Sequence, residues 1–365
     1  MPIAAKSAPA ISVCVPTYNG CEHLKECLDS IRAQSFKDFE VVICDDQSSD
    51  GTIEFARELA HDDDRFRFIP NPRRFGLVGN WNNCIALSRG DWIKFVFQDD
   101  LLKPACLEKM QKAAIASNAS FVCCQRDFLF APDVPGDICS HYLESAQRIG
   151  AFFAGRSSMP ADEYAGQVVA KFRDNFIGEP TCTLLHRSVF ERCGMFNPNL
   201  IMCCDYEFWN RAGSVTGVTY IPEVLATFRV HSKSTSAENI ARRGFRMSLL
   251  DWFIVLHDVA YGAGCRALRQ ASARKYGRHF IGNECRAQAL SARRFLAKTK
   301  KATPAAGALL QQEWDGVAGL YPRLRWLAAE GLFLDFCGRA QRNFSLHGLK
   351  RVVRKIAGLS SPSSK

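Results

Sequence analysis

Short apolar runs alternate with amphipathic stretches through the first 130 residues. Residues 11–15 form an apolar run that stops at Pro16, which cannot donate to a sheet ladder. A turn follows, and residues 21–34 then place Leu24, Cys27, Leu28 and Ile31 at helical spacing with polar residues opposite. The next run, 39–44, ends in Asp45 and Asp46, and the turn at 47–52 supplies N-cap candidates for a helix over 53–59. The same order recurs with a strand at 65–69, a loop at 70–74 and a helix over 76–87 presenting Asn80, Asn82 and Asn83. Gly90 then resets the chain into a strand through Ile93, Phe95, Val96 and Phe97 that must end at Asp99 and Asp100. Strands separated by helices predict an α/β fold with a parallel, doubly wound central sheet.

Further along, Pro104 at a first helical position opens a helix to about residue 117, and 120–124 reads as a strand. Residues 129–156 lose the pattern and read as a loop-rich insertion. Helices are expected over 163–172 and 205–212, a short strand over 181–185, and a strand pair or ribbon over 220–230. After Ser236 the composition turns to Arg-rich helical sequence, which sets a boundary near 240 between a first domain, 1–240, and a basic helical region, 241–365.

Charge sharpens that division. The net +10 comprises 24 Lys/Arg against 30 Asp/Glu in residues 1–240 and 23 against 7 thereafter. So basic a segment faces something anionic: nucleic acid, phospholipid or an acidic substrate. The 16 cysteines form no C-x-x-C, and most sit in apolar runs, which points to reduced core thiols of a cytoplasmic protein. Neither a secretory signal nor an apolar run of about 18 residues is present, so no transmembrane helix is expected.

Candidate chemistry gathers where the strands end. Adjacent carboxylates repel, so an Asp99–Asp100 pair taken out of water needs a proton, a cation or a cationic ligand complex, and the carboxyl ends of α/β strands are where ligands collect. A solvated turn is the plain alternative. Taken alone, Asp46 reads first as a turn residue capping the next helix, and Asp205 as a candidate helix N-cap.

Six stretches then occur in one order: VCVPTYN (13–19), EVVICDDQSSDGT (40–52), NPRRFG (71–76), GDWIKFVFQDD (90–100), DYEFWNR (205–211) and FRVH (228–231). Together, over about residues 10–235, they resemble the family 2 glycosyltransferases, inverting enzymes of the GT-A fold that use nucleotide sugars. The resemblance implies a mostly parallel, Rossmann-like sheet flanked by helices. It implies nucleotide contacts from Pro16, Thr17, Tyr18 and Asn19, and a uracil or thymine contact from Asp46. The family's metal motif is Asp-x-Asp, and this chain has Gln98-Asp99-Asp100. Asp100 is then the expected ligand of Mn2+ or Mg2+, with Asp99 on ribose or a metal-bound water. Asp205 matches the general base, with Cys204 where many relatives carry Glu. Arg229 and His231 alternate along one strand and so face one way, the first toward the diphosphate and the second toward the metal. Glu179 and Pro180 fall where the family shapes the acceptor site, with no further role.

The expected activity is transfer of a sugar from a UDP- or dTDP-linked donor to a hydroxyl of a glycan or lipid-linked acceptor, as in bacterial surface polysaccharide synthesis. A nucleotidylyltransferase would pair a similar fold with a metal, but it needs a Gly-rich phosphate loop with a basic residue that V-P-T-Y-N-G lacks. Nucleic-acid binding through the basic region is the other alternative, opposed by the acidic balance of residues 1–240 and the absence of a recognised motif. In residues 344–359, Phe344, Leu346, Leu349, Val352, Val353, Ile356 and Leu359 recur at helical spacing beside Lys350, Arg351, Arg354 and Lys355. Such a helix suits an anionic membrane surface at its inner, cytoplasmic face; packing on preceding helices, or pairing of two subunits, is the structural alternative.

Overall fold

The computed structural model describes residues 8–343. The amphipathic stretch 344–359 therefore lies outside the described residues. Two compact units divide the chain, residues 1–281 and 282–365.

The first unit opens with β1 (Ile11–Thr17), α1 (Cys21–Arg32), β2 (Phe39–Asp45), α2 (Thr52–Leu59), β3 (Phe66–Pro70), α3 (Leu77–Leu87) and β4 (Trp92–Phe95). Every residue of β1 and β2 is buried, as the centre of a sheet covered on both faces requires. Helix α1 buries Leu24, Cys27, Leu28 and Ile31, the stripe its spacing predicts. The chain continues through β5 (Leu101–Leu102), α4 (Cys106–Ser117), β6 (Phe121–Phe130), α5 (Gly136–Phe153), β7 (Ser158–Met159) and α6 (Ala161–Ala170). After a single 3-10 turn at Pro180–Cys182 come β8 (Thr183–His186), α7 (Arg187–Cys193), α8 (Cys204–Thr216) and β9 (Val218–Val230). Helices α9 (Thr235–Arg242), α10 (Asp251–Tyr261) and α11 (Arg266–Tyr276) complete the unit.

The sheet order is β3-β2-β1-β4-β8-β6-β9-β5, with β7 against β9. β3, β2, β1 and β4 are parallel, in register at Val15↔Ile43 and Cys14↔Phe95. β8 then runs antiparallel between β4 and β6, so the sheet is mixed rather than a uniform doubly wound one. The carboxyl ends of β1, β2 and β4 still open on one edge, where the loops that follow them meet.

Three expectations change. Residues 129–156 are not a loop: β6 extends to Phe130 and α5 follows, burying Ile149, Phe152 and Phe153. Its first turns are largely exposed, Ile138 and Leu143 included, and the buried stripe comes only at its end. Residues 218–230 form one long strand, kinked by register shifts at Gln125 of its partner β6. The composition change near 240 is also not where the first unit ends. Asp251, fully buried, accepts the N–H groups of Ile201, Met202 and Cys203 at 3.0, 2.8 and 3.2 Å, tying α10 to the turn that precedes α8.

The second unit contains most of α12 (Phe280–Ala302) together with α13 (Pro304–Leu320) and α14 (Arg323–Asn343). Within it Leu296, Trp314, Leu324 and Leu327 are buried, and Arg286 pairs with Glu330 at 3.0 Å. No helix among the described residues is long and apolar enough to cross a membrane.

Candidate active site

The loops after β1, β2 and β4 surround a cavity of about 280 Å³. Its walls include Pro16, Thr17, Tyr18, Asp46, Asp99 and Asp205, so six of the expected site residues meet in one place from four separate stretches of chain.

After β1, the backbone N–H of Tyr18 donates to Gln98 Oε1 at 2.9 Å, and Gln98 Nε2 donates back to the Tyr18 carbonyl at 3.1 Å. Gln98 lies so close to Gly20 that a Cβ there would push its amide out of this pair of bonds. Asn19 stands apart from the cavity. Its N–H donates to Ser48 Oγ and its Oδ1 accepts from the Ser49 N–H, each at 2.9 Å, so it latches the β1 and β2 loops together. Asp46 is buried, and its carboxylate accepts the N–H groups of Phe75 and Gly76 at 2.7 and 2.9 Å and Asn71 Nδ2 at 3.0 Å. Those bonds draw in the 71–76 loop and with it Arg74, whose guanidinium stacks 3.8 Å from the Tyr18 ring centroid and donates to the Tyr18 hydroxyl at 2.8 Å. Arg74, Gln98 and Trp81, which stacks on Phe97 at 4.9 Å, line the cavity without having been singled out as site residues. The motif NPRRFG carried the signal for Arg74.

The two aspartates after β4 separate. Asp99 lines the cavity, and its Oδ2 lies 3.0 Å from His231 Nε2. Asp100 points the other way. It is fully buried, accepting the Thr181 hydroxyl on Oδ2 and the Arg229 N–H on Oδ1 at 3.0 Å. Burial, then the charge of Asp99, pushes its carboxyl well above the usual carboxylate range. Asp100, expected as the direct metal ligand, is thus a buried tie between the β4 end, β8's approach and β9; the carboxylate presented beside His231 is Asp99. Arg229 is also redirected, since its side chain donates to the Asp99 carbonyl at 2.9 Å and to Glu26 at 2.6 Å.

Asp205 sits in the first turn of α8 and does not cap it, because the N-cap position is Cys203. Its Oδ1 accepts the Tyr206 N–H at 2.6 Å and its Oδ2 accepts Asn175 Nδ2 at 3.2 Å. Burial, partly offset by the Tyr206 N–H and reinforced by the charge of Glu179, raises its pKa to about 7. A carboxylate with a proton affinity matched to neutral solution is what a general base requires.

The donor set at Asp99 and His231 fits a divalent cation that accepts oxygen and imidazole ligands, such as Mn2+. No group of three or more His, Cys, Asp or Glu among the described residues could hold a metal by itself. Two protein donors would leave the remaining positions to a diphosphate and water, as a substrate-borne metal demands.

The model of glycosyl transferase family 2 matches residues 12–194. The chain is 29% identical over 256 residues to the uncharacterized protein MT1568 of Mycobacterium tuberculosis, covering 68% of this chain and 76% of that one. It is 40% identical over 107 residues to the GalNAc(5)-diNAcBac-PP-undecaprenol beta-1,3-glucosyltransferase of Campylobacter jejuni, covering 29% of this chain and 35% of that one. Among solved structures, S. aureus TarS 1-349 in complex with UDP-GlcNAc superposes with a TM-score of 0.57 at 16% identity, covering 88% of each chain. The mannosyltransferase PcManGT from Pyrobaculum calidifontis, in complex with GDP-Man and Mn2+, does so at 0.52 and 18%, covering 90% of this chain and 85% of that one. At such identities the structural likenesses speak for the fold alone. The family model, matching half of the chain, makes this chain a member of glycosyl transferase family 2, a glycosyltransferase of the GT-A fold.

Proposed function

We propose that this enzyme transfers a sugar, with inversion, from a UDP- or dTDP-linked donor to a hydroxyl of a glycan or lipid-linked acceptor. The observation that carries the reading is that Asp205, raised to about 7, and Asp99, paired with His231, line the same cavity. Tyr18, stacked with Arg74, and Asp46 with its loop form the nucleotide end. Asp205 accepts the proton of the attacking acceptor hydroxyl, and Asp99 and His231 would hold a divalent cation, which when bound would supply charge compensation for the diphosphate. Support for a nucleotide-sugar donor comes from the UDP-GlcNAc complex of TarS, for Mn2+ from PcManGT, and for a lipid-linked acceptor from the name of the Campylobacter relative. Calorimetry across UDP-, dTDP- and GDP-sugars with Mn2+ tests the donor. Saturable binding of a UDP- or dTDP-sugar that chelator weakens at least tenfold is expected; binding of GDP-sugars alone would overturn the choice of a uracil or thymine nucleotide.

The acceptor reading extends to an anionic membrane. Residues 282–365 hold 15 Lys/Arg against 5 Asp/Glu, so the whole net charge of the chain lies there. Each cation near such a leaflet contributes about 1 kcal/mol. Full-length protein should float with phosphatidylglycerol-containing vesicles at low salt, and truncation after Ser345 should release it. Full-length protein that stays at the bottom of the gradient at low salt refutes the membrane reading.

A further inference from the structure

One carboxylate of the cavity wall, Glu179, belongs to a charged pair that the transfer step does not use. Arg126 on β6 is 3% exposed, and its Nε lies 2.6 Å from Glu179 Oε2. Its Nη2 donates to Ser145 Oγ on α5 at 3.2 Å. Gly178, at φ +91°, makes room for it: a Cβ at that position would sit 2.5 Å from the guanidinium carbon. The strap that carries Glu179 also carries the support of Asp205. The Gly178 N–H donates to Asn175 Oδ1 at 2.9 Å, Asn175 Nδ2 reaches Asp205, and Trp209 Nε1 on α8 donates to the Gly178 carbonyl at 2.7 Å. Lys94, fully buried on β4, donates to the Thr181 carbonyl two residues beyond Glu179.

A buried ion pair is a poor source of stability, because the cost of desolvating both charges offsets their attraction. What the pair does achieve is to hold one carboxylate in place against the cavity. Glu179 lines that cavity beside Pro180, Met202 and Asp205. The charged and titratable groups around it come from every packed element: Arg126 on β6, Tyr142 on α5, Asp100 after β4, Cys182 on its own strap and Asp205 on α8. Burial and then the charge of Glu179 push the Tyr142 phenol up to about 12, so it stays a neutral hydroxyl. Asp205 is further surrounded by Asn175, Cys203 and Cys204, whose thiols burial keeps protonated.

We infer that Glu179, pinned by Arg126, is a sugar-binding carboxylate of the acceptor end of the cavity. It accepts a hydrogen bond from an acceptor hydroxyl neighbouring the one that attacks, and it stands as a fixed negative charge beside Asp205. The inference rests on the assignment of Asp205 as base. In the step itself the acceptor O–H bond breaks and its proton passes to Asp205. The oxygen's electron pair forms the new bond to the anomeric carbon, and the anomeric C–O bond breaks with its pair leaving on the nucleoside diphosphate. Glu179 gives and takes no proton, so its removal should alter acceptor binding and the pH response rather than donor binding.

The test uses full-length enzyme, UDP binding by calorimetry, and UDP release from UDP-GlcNAc with water and with a set of methyl glycosides as acceptors. Glu179→Gln keeps shape and removes charge. It should raise the acceptor KM at least tenfold, leave the UDP dissociation constant within twofold, and move the acidic limb of the rate profile to lower pH, because Asp205 no longer feels a second negative charge. Glu179→Asp should restore the limb and leave the acceptor KM raised. A folded Glu179→Gln enzyme with unchanged acceptor KM and an unmoved limb overturns the proposal. So does weakened UDP binding accompanied by a lower melting temperature, the signature of a purely structural pair. Full transfer by an Asp205→Asn enzyme would instead remove the base assignment, whatever Glu179 does.

Discussion

Asp205→Asn is expected to lower sugar transfer by about two to four orders of magnitude while nucleotide binding persists. The amide keeps the size of the side chain and an oxygen for the Tyr206 N–H, but it cannot accept the acceptor's proton at neutral pH. In the unaltered enzyme the rate should rise with pH through about 7, as the carboxylate form becomes available. The same shift has a consequence for stability. A carboxyl whose pKa is raised by folding stabilises the fold below its unfolded value, near 4, and that contribution is lost as pH rises through about 7. At pH 8 the ionised Asp205 is therefore a cost, and Asp205→Asn should melt a few degrees higher than the natural enzyme, with the gap closing by pH 4. Thermal melts at both pH values read this directly. Transfer near the natural rate, or loss of donor affinity along with transfer, would show that Asp205 is not the base.

Asp99→Asn should reduce metal-dependent transfer about a hundredfold or more, since a divalent cation at a leaving diphosphate is worth several kcal/mol of transition-state stabilisation. His231→Ala should act in the same direction, and both should raise the Mn2+ concentration needed for half-maximal activity. Asp100→Asn is expected to differ. The two oxygens of Asp100 accept from different donors, the Thr181 hydroxyl and the Arg229 N–H, and an amide offers one oxygen beside an NH2 that cannot accept, so one buried bond is lost and the main effect should be a lower melting temperature. Metal titration of the three variants by activity and by calorimetry decides the order. An Asp100→Asn enzyme that loses its metal response while Asp99→Asn keeps it would reverse the assignment.

The fold was legible because its signals are local. Apolar runs of β-strand length and the stripe Leu24, Cys27, Leu28 and Ile31 depend on spacing within one segment, and a sheet buried on both faces leaves such runs nearly continuous. The helix α5 escaped because only its last turns, at Ile149, Phe152 and Phe153, are buried. The ordered motifs likewise led to Pro16, Thr17, Tyr18, Asp46 and Asp205, which stand at strand ends or a helix start and which the fold brings to one cavity.

What the sequence could not express was direction. Asp99 and Asp100 are chemically identical neighbours, and only their partners separate them: Thr181 and the Arg229 N–H, 81 and 129 residues away, draw Asp100 into the interior, while His231, 132 residues away, meets Asp99 at the cavity. Glu179 acquires its meaning in the same way, from Arg126 on a strand brought beside it by β8. By itself, then, the sequence determined the sheet's first half, the enzyme family and the set of carboxylates that stand at or next to the cavity. The tertiary structure alone decided which of them faces the cavity, because a side chain's orientation after a strand ends is set by contacts across the sheet and not by the residues next to it.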